Sequence, residues 1–170
     1  MEIIDFPDLH YRALMLDIVR NYYPVDSICR VLDVMAQYKL NVLHLHLSDD
    51  EAWRLEIPGL PQLTDIGSKR GYTTDESECL LPMYCGGWDA NANTTANGYI
   101  TREEYIDLLK YAKERHIRII PEIDMPGHMR AAKKAMGNLL TDSLFDIRVY
   151  KSAQNYTDNV IDVTKPYAIE

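Results

Sequence analysis

The sequence predicts an α/β protein built on a parallel sheet, and three observations predict it. Short apolar runs alternate with amphipathic helical stretches in the order strand, helix, strand, helix, strand. The first strand–helix–strand unit has about 30 residues, the size of a crossover between parallel strands. Polar residues also gather just after each strand: Asp17, then Ser48-Asp49-Asp50, then Asp124 and His128. In parallel α/β folds, and in eight-stranded barrels above all, sites lie at the C-terminal ends of strands.

Each element has its own local reason. Leu14-Met15-Leu16 is a short apolar run that ends at Asp17, with Arg12 just before it. Pro24 opens the first helix and Asp26 is its expected N-cap; Ile28, Val31, Leu32 and Met35 then form one apolar stripe at helical spacing. Asn41 follows that helix, and Val42 to Leu47 make the second strand. Residues 55–100 read as mostly irregular, punctuated by Pro58, Gly59, Pro61, Pro82, Gly86 and Gly87. A loop this long in a compact domain is functional or mobile as a rule. Its Tyr84 and Trp88 either meet a ligand or pin the loop to the body. Thr101 to Glu104 has the pattern of a capping box, and Tyr105, Leu108, Leu109 and Ala112 supply the second helical stripe. Ile117 to Asp124 is the third strand, Met125-Pro126-Gly127 a turn, and His128 to Met136 a short helix. Residues 137–170 show no clear period, apart from a brief extended piece expected at Asp158 to Asp162.

Bulk properties exclude more than they assign. The chain has 170 residues, 46% of them hydrophobic and 26% charged, with a formal net charge of −8. That length fits one domain. The acidic balance and the lack of a Lys/Arg block argue against a nucleic-acid partner. No apolar run approaches the ~18 residues of a membrane span, and no signal peptide stands at Met1 to Phe6. The three cysteines, Cys29, Cys79 and Cys85, lack metal-type spacing; Cys79 and Cys85 are close enough to form a small disulfide. Asn93 and Asn155 open formal glycosylation sequons, which matter only in a eukaryotic secretory protein.

The chemistry centres on residues 41–54. Alternation puts Leu43, Leu45 and Leu47 on one side of the strand and His44, His46 and Ser48 on the other. Two readings follow. The histidines, with Asp49, Asp50, Asp124 and His128, could ligate a metal. Alternatively they hydrogen-bond inside a barrel, and the carboxylates work by hydrogen bonding and charge.

The segments YRALMLDIVRNYYPVD, KLNVLHLHLSDDEAWRLEI and IIPEIDMPGH, in this order and spacing, resemble the catalytic domain of family 20 glycoside hydrolases, the β-N-acetylhexosaminidases. CLLPMY followed by GYITREEYIDLLKYAKERHIRIIPEIDMPGHMRAA is most similar to the chitobiase branch. The resemblance implies a (β/α)8 barrel that removes a terminal β-linked N-acetylglucosamine or N-acetylgalactosamine from an oligosaccharide or glycoconjugate. It implies no metal and no cofactor, so it displaces the metal reading. In that family the substrate's own acetamide oxygen is the nucleophile. A protein Glu serves as acid and then base, and the Asp before it orients the acetamide.

By the same resemblance, Arg12 matches the arginine that grips sugar hydroxyls. Asp49 and His128 match an Asp–His relay to the catalytic Glu. Asp124 matches an aspartate supporting Arg12, while His46 and Asp50 lie behind these residues and Trp53 is packing. The parent is expected to be secreted, lysosomal or periplasmic. Two departures stand out. Ala13 replaces a frequent Gly, which changes little. The Gly-Gly-Asp-Glu motif of the fourth strand is absent from the sequence. Residues 1–170 are therefore expected to be the N-terminal portion of the barrel, about its first three βα units, and inactive alone. The alternative is a non-catalytic carbohydrate-binding or matrix protein on the same fold.

Overall fold

The computed structural model describes residues 1–83, 87–137 and 151–164. Strand β1 (Ala13–Asp17) leads to helix α1 (Val25–Gln37) and strand β2 (Val42–Asp49). A two-residue strand β3 (Ala52–Trp53) and a one-turn helix α2 (Gln62–Asp65) precede helix α3 (Arg102–Glu114). Strand β4 (Arg118–Ile123) and helix α4 (Arg130–Met136) complete the described elements. β2 is central. β1 pairs with it in parallel from Ala13↔Val42 to Asp17↔His46, and β4 from Val42↔Arg118 to His46↔Glu122. The ladder is irregular between His46 and Ser48, and β3 folds back antiparallel onto Ser48 and Asp49.

The alternation of β2 decides where the core lies. Leu43, Leu45 and Leu47 are fully buried against Ile28, Leu32 and Met35 of α1 and Leu108 and Ala112 of α3. Burying each such side chain contributes roughly 1.5–3 kcal/mol, which holds both helices on one face of the sheet. His44 and His46 take the opposite face, where a ring nitrogen of each lies against the Glu122 carboxylate of β4. A second cluster of Trp53, Leu63, Met129, Ala132, Ala135 and Ile161 ties α2 and α4 together. Trp53 is thus packing, with its indole N–H donating to the Leu55 carbonyl at 2.6 Å.

Helix ends follow local chemistry. The Thr101 hydroxyl accepts from the Glu104 N–H at 3.2 Å, and the Glu104 carboxylate accepts from the Thr101 N–H at 2.8 Å, the reciprocal box expected there. α1 starts differently. Pro24 holds the N-cap position with no side-chain cap, and Asp26 sits inside the first turn, where its charge faces the positive end of the helix dipole. Both long helices close in Schellman turns. Lys39 (φ 58°) and His116 (φ 57°) take the left-handed position, and Leu40 N–H and Ile117 N–H donate back to the Met35 and Ala112 carbonyls.

Several boundaries shift. The second strand runs on to Asp49, which fixes that carboxylate at the sheet end. His128 does not begin the last helix; it lies before it at φ 56°, after a cis Met125–Pro126 bond. Asp158 to Asp162 forms no strand, yet the Asn159 and Pro126 carbonyls accept from Met129 and Ile161 N–H and hold this segment beside α4. Cys79 is a buried free thiol, and Cys85 and Tyr84 lie outside the described residues. Trp88 is 78% exposed, so its indole does not pin the loop. No helix among the described residues is long and apolar enough to cross a membrane.

Candidate active site

The segments leaving β1, β2 and β4 converge at the C-terminal end of the sheet, and two buried arginines hold the first two there. The Arg54 guanidinium, fully buried, donates to the carbonyls of Ile18 (3.1 Å), Val19 (2.9 Å), Ser68 (3.0 Å), Ala96 (3.0 Å) and Gly98 (2.7 Å). Arg70, also buried, donates to those of Val19 (2.7 Å), Arg20 (3.0 Å) and Glu51 (3.0 Å). Burial, then the neighbouring Arg70 charge, lowers the Arg54 pKa to about 9. These bonds fix the backbone around Arg20 and Glu51 and hold Ser68, Ala96 and Gly98 beside the sheet end.

Asp49 is the hub. Its Oδ1 lies 2.8 Å from His128 Nδ1 and accepts from the Asp50 N–H at 2.6 Å. Its Oδ2 lies 2.5 Å from Arg20 Nη2 and 3.1 Å from His46 Nε2. Burial alone would raise the carboxyl pKa, but hydrogen bonds from His46, Asp50 N–H and His128 and the Arg20 charge outweigh it, so Asp49 stays ionised below the usual range. For His128 and His46, burial pushes the pKa down and the Asp49 hydrogen bond with the surrounding carboxylates pushes it further up, so both are raised.

Arg20 rests on three carboxylates: Asp17 at 3.0 Å, Glu51 at 3.0 Å and Asp49. Its side chain is 31% exposed. Asp50 is buried behind Asp49. It accepts from the Arg130 N–H at 3.2 Å and from Asn159 Nδ2 at 2.8 Å, and its pKa is raised, chiefly by burial. Asp124 faces Glu122; burial and that neighbouring charge raise its pKa, while its N–H donates to the Ser48 hydroxyl at 3.1 Å.

Of the residues expected from sequence, Asp49, His128, His46, Asp50 and Asp124 are therefore brought together. Arg12 is not. It precedes β1 and sits at the opposite end of the strand, with its guanidinium on the carbonyls of Leu9, His10 and, at 2.5 Å, Lys39. Asp124 consequently cannot support it. The arginine at the site is Arg20, three residues past the end of β1. Glu51 and Glu122 were missed as well. The strand-end rule would have found Arg20, since it follows its strand and Arg12 precedes it.

Two groups have the spacing to hold a cation: His46, Glu122 and Asp124, and Asp49, Asp50 and His128. The second suits one poorly. Arg20 already supplies positive charge to Asp49, and Arg130 and Asn159 occupy Asp50. What the arrangement can do is orient a hydroxylated ligand on Arg20 and exchange a proton through Asp49 and His128.

A parallel sheet with helices on one face and a charged cluster at its C-terminal end defines an α/β protein of the class that places its sites at strand ends. The sequence matches the catalytic domain of glycosyl hydrolase family 20 over residues 9–170, and the chain belongs to that family. It is 50% identical over 136 residues to the N,N′-diacetylchitobiase of Vibrio harveyi, covering 80% of this chain and 15% of that protein. Against β-hexosaminidase B of Pseudoalteromonas piscicida the identity is 41% over 179 residues, 96% of this chain and 23% of that one. The crystal structure of a family 20 exo-β-N-acetylglucosaminidase from Vibrio harveyi, in complex with N-acetylglucosamine, superposes with TM-score 0.87 and 42% identity, covering 98% of this chain and 25% of that one. The fold is thus a partial (β/α)8 barrel, and the chain spans between 15% and 25% of the length of these relatives.

Proposed function

We propose that this chain forms the first three βα units of a β-N-acetylhexosaminidase barrel and supplies the hydroxyl-binding and proton-relay side of its active site. One observation carries the reading: Asp49 joins Arg20 and His128 at the sheet end, 2.5 Å and 2.8 Å from its two oxygens. Arg20 takes the role first expected of Arg12. Its planar fork, held from behind by Asp17, Glu51 and Asp49, suits a pair of sugar hydroxyls. His128 is 39% exposed and has its second nitrogen free of the Asp49 contact. From there it reaches the acid/base Glu that the family carries on its fourth strand. In substrate-assisted hydrolysis that Glu first protonates the leaving oxygen and then activates water, while the substrate's acetamide forms the intermediate. Asp49, kept ionised, favours the His128 cation whenever the Glu gives up its proton. The substrate is a glycan or glycoconjugate ending in N-acetylglucosamine or N-acetylgalactosamine.

A graft tests this. Residues 9–170 replace the matching segment of the Vibrio harveyi chitobiase, and the chimaera is assayed with a nitrophenyl β-N-acetylglucosaminide. Saturable release of nitrophenol is expected from the chimaera and none from the 170-residue chain alone, which has no Gly-Gly-Asp-Glu motif. A folded chimaera without turnover overturns the proposal.

A further inference from the structure

The Asp–His pair does not end at Asp49. On the far side of the carboxylate, His46 is almost wholly buried and lies between two carboxylates. Nε2 lies 3.1 Å from Asp49 Oδ2, and Nδ1 lies 3.3 Å from Glu122 Oε2. Arg20 Nη1 is also within 3.2 Å of Nε2. A neutral imidazole leaves one of these carboxylates facing a ring lone pair; the doubly protonated ring donates to Asp49 and sets its other N–H edge within ion-pair distance of Glu122.

We infer that His46 is a positioning residue, an imidazolium clamped between Glu122 and Asp49 that shares the Asp49 carboxylate with His128 and so governs how tightly His128 holds its proton. The inference deepens the reading proposed above for the same site. Four groups then stand in series, Glu122, His46, Asp49 and His128, with separations of 3.3, 3.1 and 2.8 Å. The titratable and charged groups facing His46 are Asp17 and Arg20 from the end of β1, His44 and Asp49 from β2, and Glu122 and Asp124 from β4. Carboxylates outnumber cations there, and they hold the His46 pKa above its ordinary value although burial opposes it.

The sign of the coupling is fixed. Two cations compete for one carboxylate, so removing the charge at position 46 must raise the pKa of His128. The test is deuterium exchange at the imidazole C2 carbon of His128, followed across pH by peptide mass spectrometry on the full 170-residue chain without any sugar. In His46→Gln the exchange midpoint of His128 should rise by roughly half a pH unit or more. Glu122→Gln, at a partly exposed position, should act in the same direction, because a His46 without its anionic partner loses its proton before His128 titrates. A purely structural role would lower the melting temperature of either variant and leave the His128 midpoint in place. An unmoved or lowered midpoint in either folded variant overturns the inference. Since no glycoside is present, that failure is separate from failure of the hydrolase reading, which the chimaera decides.

Discussion

Two arginines of one motif, Arg12 and Arg20, show what the site demands. Both stand in YRALMLDIVR, and either could be matched to a hydroxyl-binding role. The strand between them separates their fates. Arg12 ties the chain before β1 to the carbonyls of Leu9, His10 and Lys39, whereas Arg20 meets Asp17, Glu51 and Asp49. In the chimaera, Arg20→Ala should therefore cost about 100-fold in kcat/KM, the scale of losing a charged donor at a site. Arg12→Ala should leave kcat/KM within about threefold and show instead as lost stability. Steady-state kinetics of the two variants side by side checks both, and equal losses would return Arg12 to the site. Asp49 and His128 were legible because sequence motifs carry them. Glu122 was not: it lies inside a strand, and only the parallel register that sets it beside His46 reveals its partner.

Among the elements, the strands and long helices could be read from periodicity and caps, because both are local properties. The capping box at Thr101 and the alternation of Leu43, Leu45 and Leu47 are examples. The Schellman ends could not, since left-handed positions that glycine ordinarily fills are held here by Lys39 and His116. A β-carbon in that conformation costs about 1 kcal/mol. His116 is exposed, so His116→Gly should raise stability by about that amount in chemical denaturation, and a loss would show that the imidazole has a role. The 55–100 region read as irregular for a different reason. Its order comes from Arg54 and Arg70, whose contacts are 13 to 51 residues away in sequence and leave no local pattern. Arg54→Met keeps the volume but strands the carbonyls of Ile18, Val19, Ser68, Ala96 and Gly98. It should be among the most damaging single changes, about 4 kcal/mol in denaturant melts.

At the scale of the whole molecule, the sheet offers more than it uses. Among the described residues β1 and β4 each pair on one side only, both with β2. Leu14 and Met15 of β1 are 38% and 48% exposed. Open parallel edges flanked by apolar side chains recruit other strands. The isolated chain should self-associate, visible as a scattering mass above that of the monomer that grows with concentration. A monodisperse monomer with a sharp unfolding transition would contradict this. The barrel class was within reach of sequence because its βα repeat is a pattern in one dimension, whereas the pairing order β1–β2–β4 emerges only in three.

The two arginines under the long loop have one more consequence. They grip it by main-chain oxygens, which every amino acid possesses. Such an attachment is blind to the identity of the residues it holds. What it constrains is spacing and backbone path. Exposed side chains such as Asn91, Asn93 and Thr95 could change and leave the segment docked, so long as Ala96 and Gly98 still present their carbonyls to Arg54, whereas Ala90 packs on Gly71 and the Thr94 hydroxyl accepts from the Ala96 N–H. The attachment thus fixes where the segment runs and leaves its exposed side chains open to change.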